Sequence, residues 1–262
     1  MISFKDLINS LSANHNNEWV VNISEDWMQG RTTYGGLSAA LCLQAVYNEH
    51  PDLPALRSAQ INFIGPAGGD VSIKNTILRI GKSVAYISSE MVGEKGIATH
   101  AVFCFGAARE SQLDEAFTTA PQTPSPKQSK DFFELGPGPV FTQHFDCLLA
   151  KGSPPISGST ESEIFVWARH KNHHKNDAVT LLSIADMPPP AVLPMFKKFA
   201  PISSMTWSLN FLNDAPITKD GWWLLRSTAE HAKDGYSSQD MAMWNSDNEL
   251  IITGKQNVAI FY

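Results

Sequence analysis

The sequence predicts an α+β protein built from two tandem copies of one domain, each an antiparallel sheet around a central helix. Two observations carry that expectation. First, the chain repeats itself: Ile61-Asn62-Phe63-Ile64 returns as Leu209-Asn210-Phe211-Leu212, Leu78-Arg79 as Leu225-Arg226, and Tyr86-Ile87-Ser88-Ser89 as Tyr236-Ser237-Ser238-Gln239. The spacings are 148 (Phe63 to Phe211), 147 (Leu78 to Leu225) and 150 (Tyr86 to Tyr236), so order is kept and small loop changes absorb the drift. Solenoids and propellers repeat every 20 to 50 residues or so, whereas a unit of this length owns a core. Second, one apolar helical run is followed by several strand-like runs punctuated by glycine turns. Two like halves pack about a pseudo-two-fold axis whose seam is free to become asymmetric, so an active site is expected to draw on both.

In the first copy Trp19 to Ile23 reads as a short strand, and Gly30 to Gly36 as a turn into a helix from Leu37 to His50. That helix is apolar almost all round, which fits burial on most faces, and Pro51 and Pro54 stop it. Strands follow at Ala59 to Ile64, Val71 to Ile80, Ser83 to Val92 and Ile97 to Phe105. The boundaries expected are 1–109 for the first domain, 110–130 for a Ser/Thr/Gln/Pro-rich linker and 131–262 for the second. In the second copy strands are expected at Phe141 to Leu148, Glu163 to Arg169 and Ala178 to Ile184, then a helix from about Pro188. Further strands fall near Ser204 to Leu212, Trp222 to Glu230, Tyr236 to Trp244 and Leu250 to Phe261, with loops at Gly158 to Ser162 and His170 to Asp177.

Composition bounds the function. A net charge of −6 without a basic stripe argues against nucleic acid or an anionic membrane as partner. No 18-residue apolar run and no signal-peptide pattern at Met1 to Asp6 point to a soluble, cytoplasmic protein. Cys42, Cys104 and Cys147 have no metal-like spacing and fit free thiols in a reducing compartment.

Several colinear motifs resemble the acyl-CoA thioesterase II family and its thioesterase-like relatives, whose fold is the double hotdog. They are Tyr34-Gly35-Gly36, Phe63-Ile64-Gly65-Pro66 and Leu78 to Ser83 in the first copy. In the second they are Trp167-Ala168-Arg169, Ala185-Asp186-Met187-Pro188, Met205-Thr206-Trp207 and Lys255-Gln256-Asn257-Val258. The resemblance runs from about Trp19 to Phe261. It implies an acyl-CoA substrate, whose CoA is no separate cofactor, and a homodimer. It also implies three working residues: an Asp before the second-copy helix, a Ser or Thr on a second-copy strand, and a Gln on the last strand. Asp186 and Gln256 fall on the first and third, and Thr228 on the second, with His231 as the rival from a different count. The chain departs from the family where histidine-bearing strands are usual, carrying Arg57-Ser58-Ala59-Gln60 and Ile202-Ser203-Ser204-Met205 instead.

These residue types suit thioester hydrolysis. A carboxylate in a seam closed to bulk solvent has its pKa raised towards neutrality and can take a proton from water. A Gln amide and a Thr hydroxyl each fix that water without becoming charged. The negative charge on the thioester oxygen wants amides at a helix start, here Gly35, Gly36 and Leu37. Against this, Asp186 reads equally as a helix cap and Thr228 as an ordinary strand residue. An acyl tunnel would be lined by Leu41, Phe63, Met195 and Phe211, and the nucleotide would meet Arg79, Lys82, Lys197 or Lys198.

Other classes find less support. A hotdog enoyl-CoA hydratase needs a His a few residues from its Asp, and none follows Asp186. A non-catalytic acyl-CoA binder remains the alternative. No Gly-x-Ser-x-Gly elbow is present. His170, His173 and His174 lie in a Lys/Asn-rich loop without a nearby Cys, so no metal site is expected.

Overall fold

A computed structural model describes residues 1–134, 136–172 and 175–262. His173 and His174 of the histidine loop therefore lie outside the described residues. A short helix α1 (Phe4–Asn9), capped by the Ser3 side chain, precedes strand β1 (Trp19–Ile23). The long helix α2 (Gly35–Glu49) then leads to β2 (Leu56–Phe63), β3 (Gly69–Ile80), β4 (Val84–Gly93) and β5 (Gly96–Gly106). The second half runs β6 (Phe145–Lys151), β7 (Glu163–His170), α3 (Ala178–Ala185), β8 (Ile202–Phe211), β9 (Trp223–Lys233), β10 (Tyr236–Trp244) and β11 (Leu250–Ile260).

The two expected sheets fuse edge to edge into one antiparallel sheet. Its order is β1-β3-β4-β5-β2-β8-β11-β10-β9-β7-β6, with two-residue pieces at Ser12–Ala13 and Lys130–Asp131 on its outer edges. Read towards the seam, β1-β3-β4-β5-β2 repeats as β7-β9-β10-β11-β8, and β6 is an extra strand outside β7. The seam is the β2·β8 ladder, where Gln60 faces Ser208, Asn62 faces Thr206 and Ser58 faces Asn210. Gln60 and Ser208 are themselves 148 residues apart, and so are Asn62 and Asn210, so the spacing read from sequence is the symmetry of this ladder.

Two repeat matches do not survive. The β3·β4 ladder slips between Ile77 and Arg79, with Arg79 opposite Tyr86, and the β9·β10 ladder slips at the same place between Ala229 and His231, with His231 opposite Ser238. The counterpart of Arg79 is therefore His231 and that of Tyr86 is Ser238, so the Leu225-Arg226 and Tyr236 likenesses are coincidences of common residues. Burial follows the ladder: Ile87 and Gln239 are both buried, as are Ser89 and Met241.

Both helices lie against the inner face of the sheet. Inward residues alternate along the seam strands, with Ala59 and Ile61 on β2 and Trp207, Leu209 and Phe211 on β8 all buried. In α2 every residue from Gly36 to Leu43 is buried, as are Ala45 and Val46. The strand expected at Ala178 to Ile184 is instead α3, and the helix expected from Pro188 is absent, with only a 3-10 turn at Leu193–Met195. The run Ala-Val-Thr-Leu-Leu-Ser-Ile-Ala is apolar on all sides because the fold buries it throughout, so its periodicity is silent. The decisive local signal is Asp177, whose Oδ1 accepts from Thr180 N at 2.9 Å and caps the first turn. Pro188, Pro189 and Pro190 cannot carry helical hydrogen bonds onward. Asp186 consequently closes the second-copy helix rather than preceding it.

Candidate active site

The start of α2 meets the end of α3 beneath the second-copy strands. Contact there is close: the Tyr34 hydroxyl, at the N-cap of α2, donates to Ser183 O at 2.7 Å. A Cβ on Gly36 would stand 2.6 Å from that same Ser183 O, which is why no side chain fits at this position. Glycine is also needed at position 35, where a Cβ would lie 2.7 Å from Asp186 Oδ2 and 3.0 Å from the Phe63 ring. Tyr34 is stacked on Phe141 with ring centres 4.0 Å apart, so the first half's helix start is held by the second half. A parallel tie is made by Trp27, stacked 3.8 Å from His144, while His144 Nε2 lies 3.1 Å from Asp26 Oδ2.

Asp186 caps the C-terminal end of α3 and is only partly open to solvent, with protein packed densely around its carboxylate. Oδ1 accepts from Gln256 Nε2 at 3.0 Å, and Gly36 N–H donates to the same carboxylate. Burial pushes its pKa from an ordinary 3.8 up to about 7, and the Gln256 and Gly36 hydrogen bonds work against that rise. The helix ends oppose one another here as well. The start of α2 favours the anion, whereas the end of α3 disfavours it. Tyr34 feels the carboxylate in turn: burial first, then the charges of Asp186 and Cys147, hold its phenol well above the usual range.

Behind Gln256 stands a residue that sequence reasoning missed. Gln239 Nε2 donates to Gln256 Oε1 at 2.7 Å, and Gln239 Oε1 accepts from Ala191 N at 2.8 Å. Gln239 is 1% exposed, so these partners satisfy it where water cannot. The repeat gives its first-copy counterpart: Gln239 stands opposite Gln256 on β10·β11, and Ile87 opposite Phe103 on β4·β5. The first copy thus has two buried apolar residues where the second has two glutamines.

The other expected residues are dispersed. Thr228 pairs with Asp240, whose side chain points to the opposite face of β10 from Gln239, and the Thr228 hydroxyl donates to Glu163 Oε1 at 3.3 Å. It has no part in the Asp186 cluster, because successive strand residues alternate faces. His231 is exposed opposite Ser238 on the same hairpin. Register puts two hydroxyls on the face of Gln256, those of Ser204 on β8 and the buried Ser237 on β10, both opposite Val258 and two residues along β11 from Gln256. Of the helix-start amides, Gly36 N–H is engaged by Asp186, and Leu37 N–H donates to Tyr34 O at 3.1 Å.

Phe63 stands beside Gly35 at the site, Leu41 and Phe211 are plain core, and Met195 is exposed. Arg79 and Lys82 lie exposed at the β3·β4 turn, far along the sheet from Lys197 and Lys198 after α3, so the four make no single cluster. A groove of about 310 Å³ opens across the seam, lined by the outward-facing Gln60, Asn62, Thr206, Ser208 and Lys255. Gln256 also lines it, whereas Asp186 and Gln239 do not. Under the second-copy sheet, next to Ala185, lies a slit of about 10 Å³ walled by Leu209, Leu225, Met241, Met243 and Ile252.

Comparison with known proteins agrees with this architecture. The chain superposes on a hot dog fold protein from Alicyclobacillus acidocaldarius with a TM-score of 0.88 at 22% identity, over 99% of this chain and 98% of that one. It also superposes on the tesB protein of Mycobacterium avium subs paratuberculosis, with a TM-score of 0.80 at 15% identity over 98% and 99% of the two chains. For the acyl-CoA thioesterase II TesB2 of Mycobacterium marinum the TM-score is 0.77 at 15% identity, over 97% of each chain. No curated protein matches it in sequence. The model of the acyl-CoA thioesterase N-terminal domain matches residues 23–106 and that of the C-terminal domain residues 115–260, and the chain therefore belongs to the acyl-CoA thioesterase family.

Proposed function

We propose that the protein hydrolyses acyl-CoA thioesters, with Asp186 as the base that activates water. The observation that carries this reading is the environment of Asp186: a carboxyl titrating at about 7 is half-ionised at neutral pH and suited to giving and taking a proton. Gln256 holds Oδ1, which leaves Oδ2, on the Gly35 side, for the water. The water oxygen bonds to the thioester carbonyl carbon as Asp186 takes its proton. The carbon–sulfur bond then breaks, and the same proton passes to the departing CoA sulfur. The thioester oxygen is set against the start of α2 at Gly35, where the helix dipole favours negative charge. Ser204 replaces Thr228 as the hydroxyl that completes the water's partners.

The test is thiol release from acyl-CoAs of graded length by the wild type and Asp186→Asn. A positioned base contributes on the order of 10²–10⁴-fold, so the variant is expected to lose at least about 100-fold in kcat. Undiminished hydrolysis by the variant removes Asp186 from the mechanism. A wild type that binds acyl-CoA without freeing thiol favours the binder.

A further inference from the structure

The amide chain behind Asp186 has a direction, and a single main-chain group sets it. A backbone N–H can only donate, so Ala191 N–H requires the oxygen of Gln239 to face it at 2.8 Å. The Gln239 NH₂ must then face Gln256, which turns the Gln256 oxygen towards Gln239 and its NH₂ onto Asp186. The amide orientations follow from the partners and not from the side chains' own shapes. Ala191 owes this place to the prolines before it: positions 188, 189 and 190 carry no N–H, and Ala191 brings the first donor after Met187, fully buried.

We propose that Gln239 is a positioning residue for thioester hydrolysis: anchored by Ala191 N–H, it holds Gln256 as a donor to Asp186 and so keeps that carboxylate ionised and aimed. In the reverse orientation Gln256 would present oxygen to Asp186, and only the protonated acid can donate to it. The chain therefore biases the base towards its working form in a buried place that otherwise favours the neutral one. The inference rests on the thioesterase reading.

Few other charges reach the carboxyl. Tyr34, at the start of α2, is the titratable group whose charge couples to it. Lys255 and Asp240, next in sequence to the two glutamines, face the other side of the sheet, where Lys255 pairs with Glu230 at 2.6 Å. Lys197 and Lys198 of the segment after α3 are exposed.

The experiment follows the Asp186 carboxyl by carbon-13 NMR against pH in the full chain, alongside pH profiles of thiol release. Two variants are compared with the wild type. Gln239→Leu removes the anchor and frees Gln256 to turn. Gln239→Glu keeps the shape and sets a second carboxyl on Gln256, whose one NH₂ can then serve only one of the two. In both, the Asp186 titration and the acid limb of kcat/KM are expected to move up together by about one pH unit. kcat is expected to fall about tenfold at pH 7, and KM to stay within about twofold. An unmoved titration in either folded variant overturns the relay. The NMR arm needs no turnover, so a wild type that frees no thiol, with the titration still shifted, overturns the hydrolytic reading and leaves the relay standing.

Discussion

Replacing Asp186 by Asn should make the protein more tolerant of alkaline pH while abolishing its proposed chemistry. The carboxyl titrates at about 7 in the fold against 3.8 ordinarily. At about 1.4 kcal/mol per pH unit, that gap is worth about 4 kcal/mol. The sign follows from proton counts. Between the two values the folded chain holds a proton that the unfolded chain has released, so stability falls as pH rises. The full contribution is present below about pH 4, is lost progressively up to pH 7, and is flat above. Asn carries no charge to desolvate, so the variant escapes that decline. It offers an NH₂ where the carboxylate had an oxygen, and Gln256 or Gly36 then loses an acceptor, which offsets about 1–2 kcal/mol of the gain. Urea unfolding of both proteins at half-unit steps from pH 4.5 to 9 reads the difference directly. The stability of Asp186→Asn relative to wild type should climb by about 2–4 kcal/mol over that range and level off near pH 7. A difference that does not vary with pH would refute the claim that this carboxyl is held out of water.

Two further outcomes are expected. Gly35→Ala puts a methyl 2.7 Å from Asp186 Oδ2 and 3.0 Å from the Phe63 ring, so kcat/KM should fall at least about tenfold with a smaller change in Tm; normal turnover would show that Oδ2 is not the working oxygen. Thr228→Val should leave kcat within about twofold, whereas Ser204→Ala should lower it about tenfold, and the reverse ranking in a thiol-release assay would restore Thr228 to the site.

The duplication was the most legible feature of the chain because Asn62 and Asn210, with their neighbours, sit on the symmetry seam, where each half must present the same edge to the other. Strands bounded by glycine turns were legible for a similar reason: alternation is a local code. The helix at Ala178–Ala185 was not, since burial on every side erases the polar stripe that marks a helix, and its cap at Asp177 is a single residue. Asp186 and Gln256 were found through the family resemblance. Their distance of 3.0 Å depends on the meeting of α3 with β11, 70 positions apart, which no local pattern encodes. Thr228 was misplaced by a count along a strand, where an error of one residue exchanges the two faces. Gln239 went unremarked because its role lies in satisfying another amide, and that becomes visible only once the strands are paired.

A protein assembled from two identical separate chains must alter both of its symmetric positions whenever either is altered. Here the seam joins covalently linked halves, so Ile87 and Phe103 have been free to settle into plain packing while Gln239 and Gln256 specialised. The first half is thereby released to act as a wall, lending Tyr34 and the glycines after it to the proposed chemistry, whose acid it does not own. Such division of labour means that lesions in either half should silence the same single centre, and that restoring a carboxyl and two amides to the quiet side is an engineering route to a chain with two working centres.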